Sequence, residues 1–200
     1  LILASQSSRR RELLSTAGFQ FTVRANPVEE VRAPGEDARA YVMRLAKSKA
    51  EASWQDADEI VLGADTVVVL GDRVLEKPHS AAAAKAMLRA LSCREHIVLT
   101  GICLKHAAGE IIDCESTRVS FVELSEQEIE AYVATGEPMD KAGSYAIQGQ
   151  ASKFIDRIEG DYFNVIGLPL AKLYSHLKKV ASLGRPAGAV FEPTGDGGPG

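Results

Sequence analysis

Ile60-Val61-Leu62-Gly63-Ala64-Asp65-Thr66-Val67-Val68-Val69-Leu70 is the stretch whose reading decides the fold. Apolar on both sides and rich in β-branched residues, it predicts a central strand covered on both faces. Asp65 sits in its middle, and Gly63 and Ala64 read as clearing space just before it. Period-two geometry puts Asp65 on one face with Val67 and Val69, and Thr66 on the other with Val68 and Leu70. A carboxylate buried there alone would cost several kcal/mol, so a cation, a metal or hydrogen-bond donors are expected beside it. The alternative is a structural aspartate in a bulge or tight turn, bonded to nearby backbone. Both readings stand at this point.

Downstream, Gly71-Asp72 makes a tight turn into Arg73-Val74-Leu75, and Glu76-Lys77-Pro78 then leaves the sheet. Lys77 therefore stands at the exit of a hairpin that starts from Asp65's strand. Its charge either returns to the same cleft or sits on a surface turn. Ser80 caps an alanine-rich helix running to Leu91. Upstream, Asp37–Trp54 reads as a helix in which Val42, Leu45, Ala46 and Lys49 share one stripe. That places Lys49 on the apolar side, where its amine either snorkels to water or reaches a buried anion.

The N-terminal segment predicts a short buried strand over Leu1–Ala4, then Ser5-Gln6-Ser7-Ser8, then a helix from Arg9 that Gly18 closes. Strand, small polar loop and helix N-terminus together suit an anion site, because free N–H groups and hydroxyls point at the ligand. Arg9, Arg10 and Arg11 oppose the helix dipole unless an anion is bound; a serine N-cap followed by solvated arginines is the bland alternative. Phe19–Ala25 alternates as a strand, and the acidic loop Asn26–Gly35 carries Glu29 and Glu30.

In the second half, His96–His106 and Glu110–Glu123 predict a long hairpin. Ser125-Glu126-Gln127-Glu128 is a capping box that starts a helix to Thr135, ended by Gly136. Glu137–Gln150 is a glycine-punctuated loop, either a solvated connection or a binding loop. Lys153–Ile158 reads as a strand and Pro169–Val180 as a final amphipathic helix, followed by a Gly/Pro-rich tail, 181–200, expected to be disordered. The order β-α-β-α-β-β-α-β-β-α-β-α indicates an α/β protein with a mixed, twisted sheet.

Two hundred residues with 46% apolar and 25% charged content suit one domain with an ample core. A formal charge of -4 argues against a surface that coats a nucleic-acid polymer, so any phosphate-binding cluster must be local. No apolar run approaches the roughly 20 residues needed to span a bilayer. Leu1-Ile2-Leu3-Ala4 is too short for a signal-peptide core, which leaves the cytoplasm as the expected compartment. Cys93, Cys103 and Cys114 show no metal-ligand spacing; Cys103 and Cys114 are placed to face each other across the hairpin, either as a disulfide or, as a cytosolic protein favours, as two reduced thiols. The four histidines form no HxH or HExxH pair, which argues against a zinc site.

The motifs, taken together, resemble the Maf family of nucleoside triphosphate pyrophosphatases from Leu1 to about Val180. The matching stretches are Ala4-Ser5-Gln6-Ser7-Ser8-Arg9-Arg10, Val28-Glu29-Glu30, Leu45-Ala46-Lys47-Ser48-Lys49-Ala50, Gly63-Ala64-Asp65-Thr66 and Glu76-Lys77-Pro78. Further on come Gly136-Glu137-Pro138-Met139-Asp140-Lys141-Ala142-Gly143-Ser144-Tyr145-Ala146-Ile147-Gln148-Gly149 and Gly160-Asp161-Tyr162. Each is weak alone; in order and at family-like spacing they are specific. One departure is visible, since the family usually has proline where this chain has Ser8, which bears on the stiffness of the loop.

The resemblance implies two lobes around a central cleft in a long mixed sheet, one domain over 1–180, and often a homodimer. It implies hydrolysis of a nucleoside triphosphate to the monophosphate and pyrophosphate with a divalent cation, Mg²⁺ or Mn²⁺. By the same resemblance Asp65 is the general base, and Ser5, Arg10, Glu30, Lys49 and Lys77 line the phosphate and metal site, with the metal on Glu30 and Asp65. Arg9, Thr66 and Gln148 are associated with base selection. The Asp140-Lys141-Ala142-Gly143 form with Gln148 resembles the branch acting on dTTP and UTP, with modified pyrimidine nucleotides as further candidates. The cations and metal around Asp65 are expected to lower its pKa, which favours it as an orienter of bound water as much as a base. A different class remains open: a nucleotide-binding regulator of cell division, which needs Arg9, Lys49 and Lys77 but no carboxylate aimed at an α-phosphate.

Overall fold

In the computed structural model, which describes residues 1–182, strand β3 (Val61–Leu70) lies in the middle of a seven-stranded mixed sheet. Its N-terminal end pairs in parallel with β1 (Ile2–Leu3), which pairs in parallel with β2 (Thr22–Val23). Antiparallel to it run the short β4 (Arg73–Leu75) and the long β5 (Glu95–His106). Beyond β5 follow β6 (Gly109–Phe121) and the edge strand β7 (Ile155–Glu159). Asp65 stands opposite Gly101 and Thr66 opposite Thr100.

One face of β3 is covered by α2 (Ala38–Ser53), N-capped by the Asp37 carboxylate, which accepts from the Ala40 N–H. Val42, Leu45, Ala46 and Ala50 are fully or almost fully buried against Val61, Val67, Leu99 and Cys103. Glycine makes this contact close. A Cβ on Gly63 would lie 2.0 Å from the Ala46 carbonyl oxygen, and one on Gly101 would lie 2.4 Å from that of Val42. The space cleared at Gly63 therefore serves the helix backbone rather than the neighbouring Asp65.

The opposite face carries two apolar packs. At one end α1 (Ser8–Thr16) and α6 (Leu170–Ser182) bury Leu13, Leu14, Leu173 and Leu177 over Leu62, Ala64, Ile102 and Leu104. At the other, α3 (Ala81–Leu91) and α4 (Glu126–Ala134) cover Val68, Leu70, Val98 and Phe121. These packs and helix α2 all border one cleft, which takes Val68 and Tyr145 from one pack, Ile147 and Ile166 from the other, and Tyr41 and Lys49 from the helix. At the level of Thr66 and Thr100 a polar belt divides the two packs. The two hydroxyls lie 2.9 Å apart, Thr100 donates to the Asn164 carbonyl at 3.2 Å, and the Asn164 amide donates to Val98 and Thr117 at 3.0 Å.

Several elements differ from the sequence expectation. Pairing in Phe19–Ala25 is confined to Thr22–Val23, because β1 is two residues long and offers no more edge. A helix, α5 (Tyr162–Ile166), forms where none is expected; Asp161 caps it by accepting from the Phe163 and Asn164 N–H groups. Five residues are too few to show a hydrophobic period. The loop 137–150 is built from 3₁₀ turns at Glu137–Asp140 and Ala142–Ser144. Helix α6 continues through Ser182, so the first two residues of the expected tail are helical, and 183–200 lies outside the described residues.

The hairpin turns on Ala107-Ala108, so Cys103 opposes Ile112 and Cys114 opposes Gly101. The two cysteines are thus not directly across from each other; both are free and buried, and burial pushes their thiols up to about 12 and about 11. No helix among the described residues is long and apolar enough to cross a membrane.

His96 on β5 is buried among Phe121 and Tyr145, edge-on to both rings, and its Nε2 lies 2.8 Å from the Tyr145 hydroxyl. Burial lowers its pKa from 6.5 to about 4. Between those values the unfolded chain binds the proton and the folded chain does not, so stability falls as pH falls through that window. The shift is worth about 3 kcal/mol at one histidine. Thermal unfolding of wild type and His96→Gln from pH 7 to pH 4 is expected to show a shallower acid loss in the variant. Equal slopes would remove His96 from the acid sensitivity.

Candidate active site

Asp65 is 8% exposed and faces α2, where the Lys49 ammonium donates to its Oδ1 at 2.6 Å. The same ammonium lies 2.6 Å from Glu30 Oε1. Lys49 thus points inward from the apolar stripe of α2 and commits two of its three N–H bonds to carboxylates. Burial raises the Asp65 pKa, and this outweighs the lowering by Lys49 and Arg10. Among the protein's own groups, desolvation of a strand-centre carboxylate thus exceeds the attraction of the cations beside it, whereas the expected lowering counted a bound metal as well. At the half-exposed Glu30 burial also opposes ionisation, but Lys49, Lys77 and Arg10 carry the net shift downward.

Glu30 is held from α2 as well. The Tyr41 hydroxyl lies 3.1 Å from the Glu30 carbonyl oxygen and 2.9 Å from Glu76 Oε1. Arg44 donates to the Val31 carbonyl at 2.9 Å while paired with Glu36. Tyr41, Leu45 and Lys49 follow i, i+4, i+8 along the helix, so one face organises both carboxylates. Sequence reasoning passed over Tyr41 and Glu76, although the stripe through Lys49 and the motif at Glu76-Lys77-Pro78 carried the signal.

Arg10 is buried rather than solvated, and most of its guanidinium is bonded within the protein. Ser7 caps α1 by accepting from the Arg10 N–H at 3.4 Å, and the Arg10 side chain turns inward. Its Nε donates to the Gly167 carbonyl at 2.8 Å, and Nη1 to Ser5 Oγ at 3.1 Å and the Ala64 carbonyl at 3.0 Å. Nη2 donates to Thr66 Oγ1 at 3.0 Å. Four of five guanidinium N–H bonds thus tie the polar loop, β3 and the end of α5 together, leaving one for a ligand. Thr66 accepts from Arg10 and donates to Thr100, which is already committed to Asn164, so its hydroxyl acts within this network. The Gly167 carbonyl had no sequence signal, since any residue supplies one.

A cleft of about 920 Å³ joins these groups. Its walls include Ser5, Arg9, Arg10, Glu30, Lys49, Asp65, Thr66, Lys77 and Gln148, every candidate that the sequence singled out. Arg9 comes from the first turn of α1, Lys77 from the exit of the β3–β4 hairpin, and Gln148 from the loop after Ser144. Ser8, the departure from the family's proline, is the first residue of α1, a position that takes either residue.

Cations from three segments facing two carboxylates across one cleft define an α/β protein with a site for a polyanionic ligand. The chain belongs to the Maf family: a model of Maf-like proteins matches residues 1–180. A protein of Koribacter versatilis named dTTP/UTP pyrophosphatase is 49% identical over 184 residues, 92% of this chain and 95% of that protein. Proteins of the same name from Anaeromyxobacter dehalogenans and a Geobacillus species are 48% and 46% identical, each over 90% of this chain and 93% and 97% of their own length. A solved Mycobacterium abscessus structure titled nucleoside-triphosphatase / dITP/XTP pyrophosphatase shares 14% identity over 68% of this chain and 94% of that one, with a TM-score of 0.39.

Proposed function

We propose that this protein hydrolyses dTTP and UTP to the nucleoside monophosphate and pyrophosphate. The observation that carries the reading is Lys49 drawing Glu30 and Asp65 together on the wall of a cleft that also holds Arg9 and Lys77. The names of relatives at 46–49% identity supply the substrate class. A fully ionised triphosphate carries about four negative charges, which Arg9, Lys49, Lys77 and the remaining Arg10 N–H would meet. Lys49 would exchange a carboxylate for a phosphate oxygen as the ligand enters. Asp65 would hold a water in line with the α-phosphorus and take its proton as the new P–O bond forms. The bond to the oxygen bridging α and β breaks, and pyrophosphate leaves.

A divalent cation fits the donor set. Glu30 and Asp65 both lie 2.6 Å from the Lys49 ammonium and so close to one another, and a hard cation of the Mg²⁺ kind uses one or two carboxylates with water and substrate phosphates for the rest. No group of three or more His, Cys, Asp or Glu that would cage a metal is present among the described residues. When bound, the cation would neutralise phosphate charge and acidify a coordinated water. Cytoplasmic location, action without a nucleic-acid polymer or membrane, and a homodimer rest on charge, composition and family resemblance; light scattering reads the last.

The test incubates the purified chain with a nucleoside triphosphate panel and Mg²⁺ or Mn²⁺ and measures pyrophosphate and monophosphate together. UTP and dTTP are expected to rank first, and chelation to remove about 10²-fold or more of the rate. Nucleotide binding without product would favour the regulatory alternative. Gln148→Glu replaces an amide that offers both donor and acceptor to the O4/N3–H edge of uracil or thymine. By the family resemblance, a sister branch acting on 7-methyl-GTP has an acidic residue at this position, so the variant is expected to weaken UTP and dTTP turnover relative to 7-methyl-GTP; an unchanged ranking would sink the assignment.

A further inference from the structure

The loop that carries Gln148 is pinned from below by two residues that no part of the proposed reaction uses. Tyr132 on α4 is 2% exposed and edge-on to Phe154, with ring centroids 5.5 Å apart, so its hydroxyl is a fixed point. That hydroxyl donates to Glu137 Oε1 at 2.8 Å and accepts from the Ala146 N–H at 3.2 Å. The other oxygen, Glu137 Oε2, accepts from the Gln150 N–H at 3.2 Å. Both ends of the five-residue turn 146–150 are therefore bonded to the same Tyr–Glu pair. The turn is closed internally by the Gly149 N–H on the Ala146 carbonyl at 3.0 Å, and Gln148 projects beside the cleft.

The fit is close enough to dictate residue type. A Cβ on Gly149 would stand 2.2 Å from Glu137 Oε1 and 2.5 Å from Oε2, so the loop backbone lies flat on the carboxylate. Glu137 is itself steadied by Lys141, whose ammonium donates to the Glu137 carbonyl at 2.8 Å. A carboxylate is required at this point. It accepts from two donors with two oxygens, whereas an amide would turn its NH₂ toward one of them.

We propose that Glu137 and Tyr132 are positioning residues that hold the Gln148 turn at the height where its amide meets a pyrimidine edge. The inference rests on the reading of the cleft as a nucleotide site and on Gln148 as its base reader. Neither residue lines the cleft, so loosening the pair should blur base choice more than it slows the chemistry.

The experiment measures kcat and KM of Glu137→Gln and Tyr132→Phe with UTP, CTP and GTP, beside their melting temperatures. The expected result is a fall of about tenfold or more in the UTP preference, carried by KM for UTP, with kcat for UTP within about threefold of wild type. Gly149→Ala, whose Cβ would push the Glu137 carboxylate and the turn apart while leaving both partner residues in the chain, is expected to do the same. An unchanged UTP preference in both variants would overturn the proposal, and so would an equal loss on all three nucleotides, which a merely structural role produces. Equilibrium titration of the same nucleotides reads the preference without turnover. A wild-type protein that binds but does not hydrolyse them would therefore count against the proposed activity while the pair is still judged by its binding ratios.

Discussion

Asp65→Asn is expected to lower pyrophosphate release by at least about 10²-fold while leaving the fold in place. Asparagine is nearly isosteric and keeps an oxygen toward Lys49, which retains Glu30 as a charged partner at 2.6 Å. What it loses is the capacity to accept a proton from an attacking water and one of two carboxylates available to a cation. General-base assistance alone accounts for a factor of about 10²–10⁴, so a loss below tenfold could not be reconciled with Asp65 at the reacting water. The control is Glu29→Gln, an exposed acidic change on the same loop as Glu30 that removes one charge without entering the cleft. If Asp65→Asn and Glu29→Gln lose equal, small amounts of rate, the effect is general electrostatics. UTP titration then separates a chemical loss from a binding loss, since the lysines and arginines proposed to meet phosphate are untouched.

The sequence made Asp65 legible because a charge inside an apolar β-branched run violates the pattern that surrounds it. Lys49 was legible for the same reason on a helix, an amine on the stripe of Val42, Leu45 and Ala46, and the structure joins the two anomalies at 2.6 Å. The strand faces of Asp65 and Thr66 followed from the period of two and held. The inward bonding of Arg10 was not legible, although its place on the cleft wall was, because two of its four partners are the Ala64 and Gly167 carbonyls, the latter 157 residues away. Main-chain acceptors leave no mark on side-chain pattern. The short β2 and the five-residue α5 escaped for a related reason, since elements of one turn or two residues are fixed by their tertiary neighbours rather than by a period. The sign of the Asp65 shift also needed coordinates: the sequence supplied the cations, but the extent of burial decided which effect prevailed.

Gly63→Ala is expected to be the most damaging added methyl among the described glycines. A Cβ there would lie 2.0 Å from the Ala46 carbonyl oxygen and 2.7 Å from the Ala50 nitrogen, and both obstacles are helix backbone that no rotamer can move aside. Helix α2 must then lift away from β3, opening the contacts of Ala46 and Ala50, which are now fully buried. Overpacking of this kind costs about 3 kcal/mol or more, which at this chain length lowers the melting temperature by roughly 10 °C. Lys49 lies between the two obstructing residues, so the turn that is lifted is the one that carries the ammonium to Asp65 and Glu30. Loss of stability and loss of turnover should therefore travel together, even when the assay is run well below the melting point. Gly101→Ala, which would meet the Val42 carbonyl one turn earlier at 2.4 Å, should destabilise while disturbing Lys49 less. Comparing the two by thermal unfolding and by UTP turnover separates the packing of the helix from the placement of its lysine. A Gly63→Ala protein that melts with wild type would mean that α2 does not sit this close to the sheet. One that is destabilised yet fully active would free Lys49 from the site.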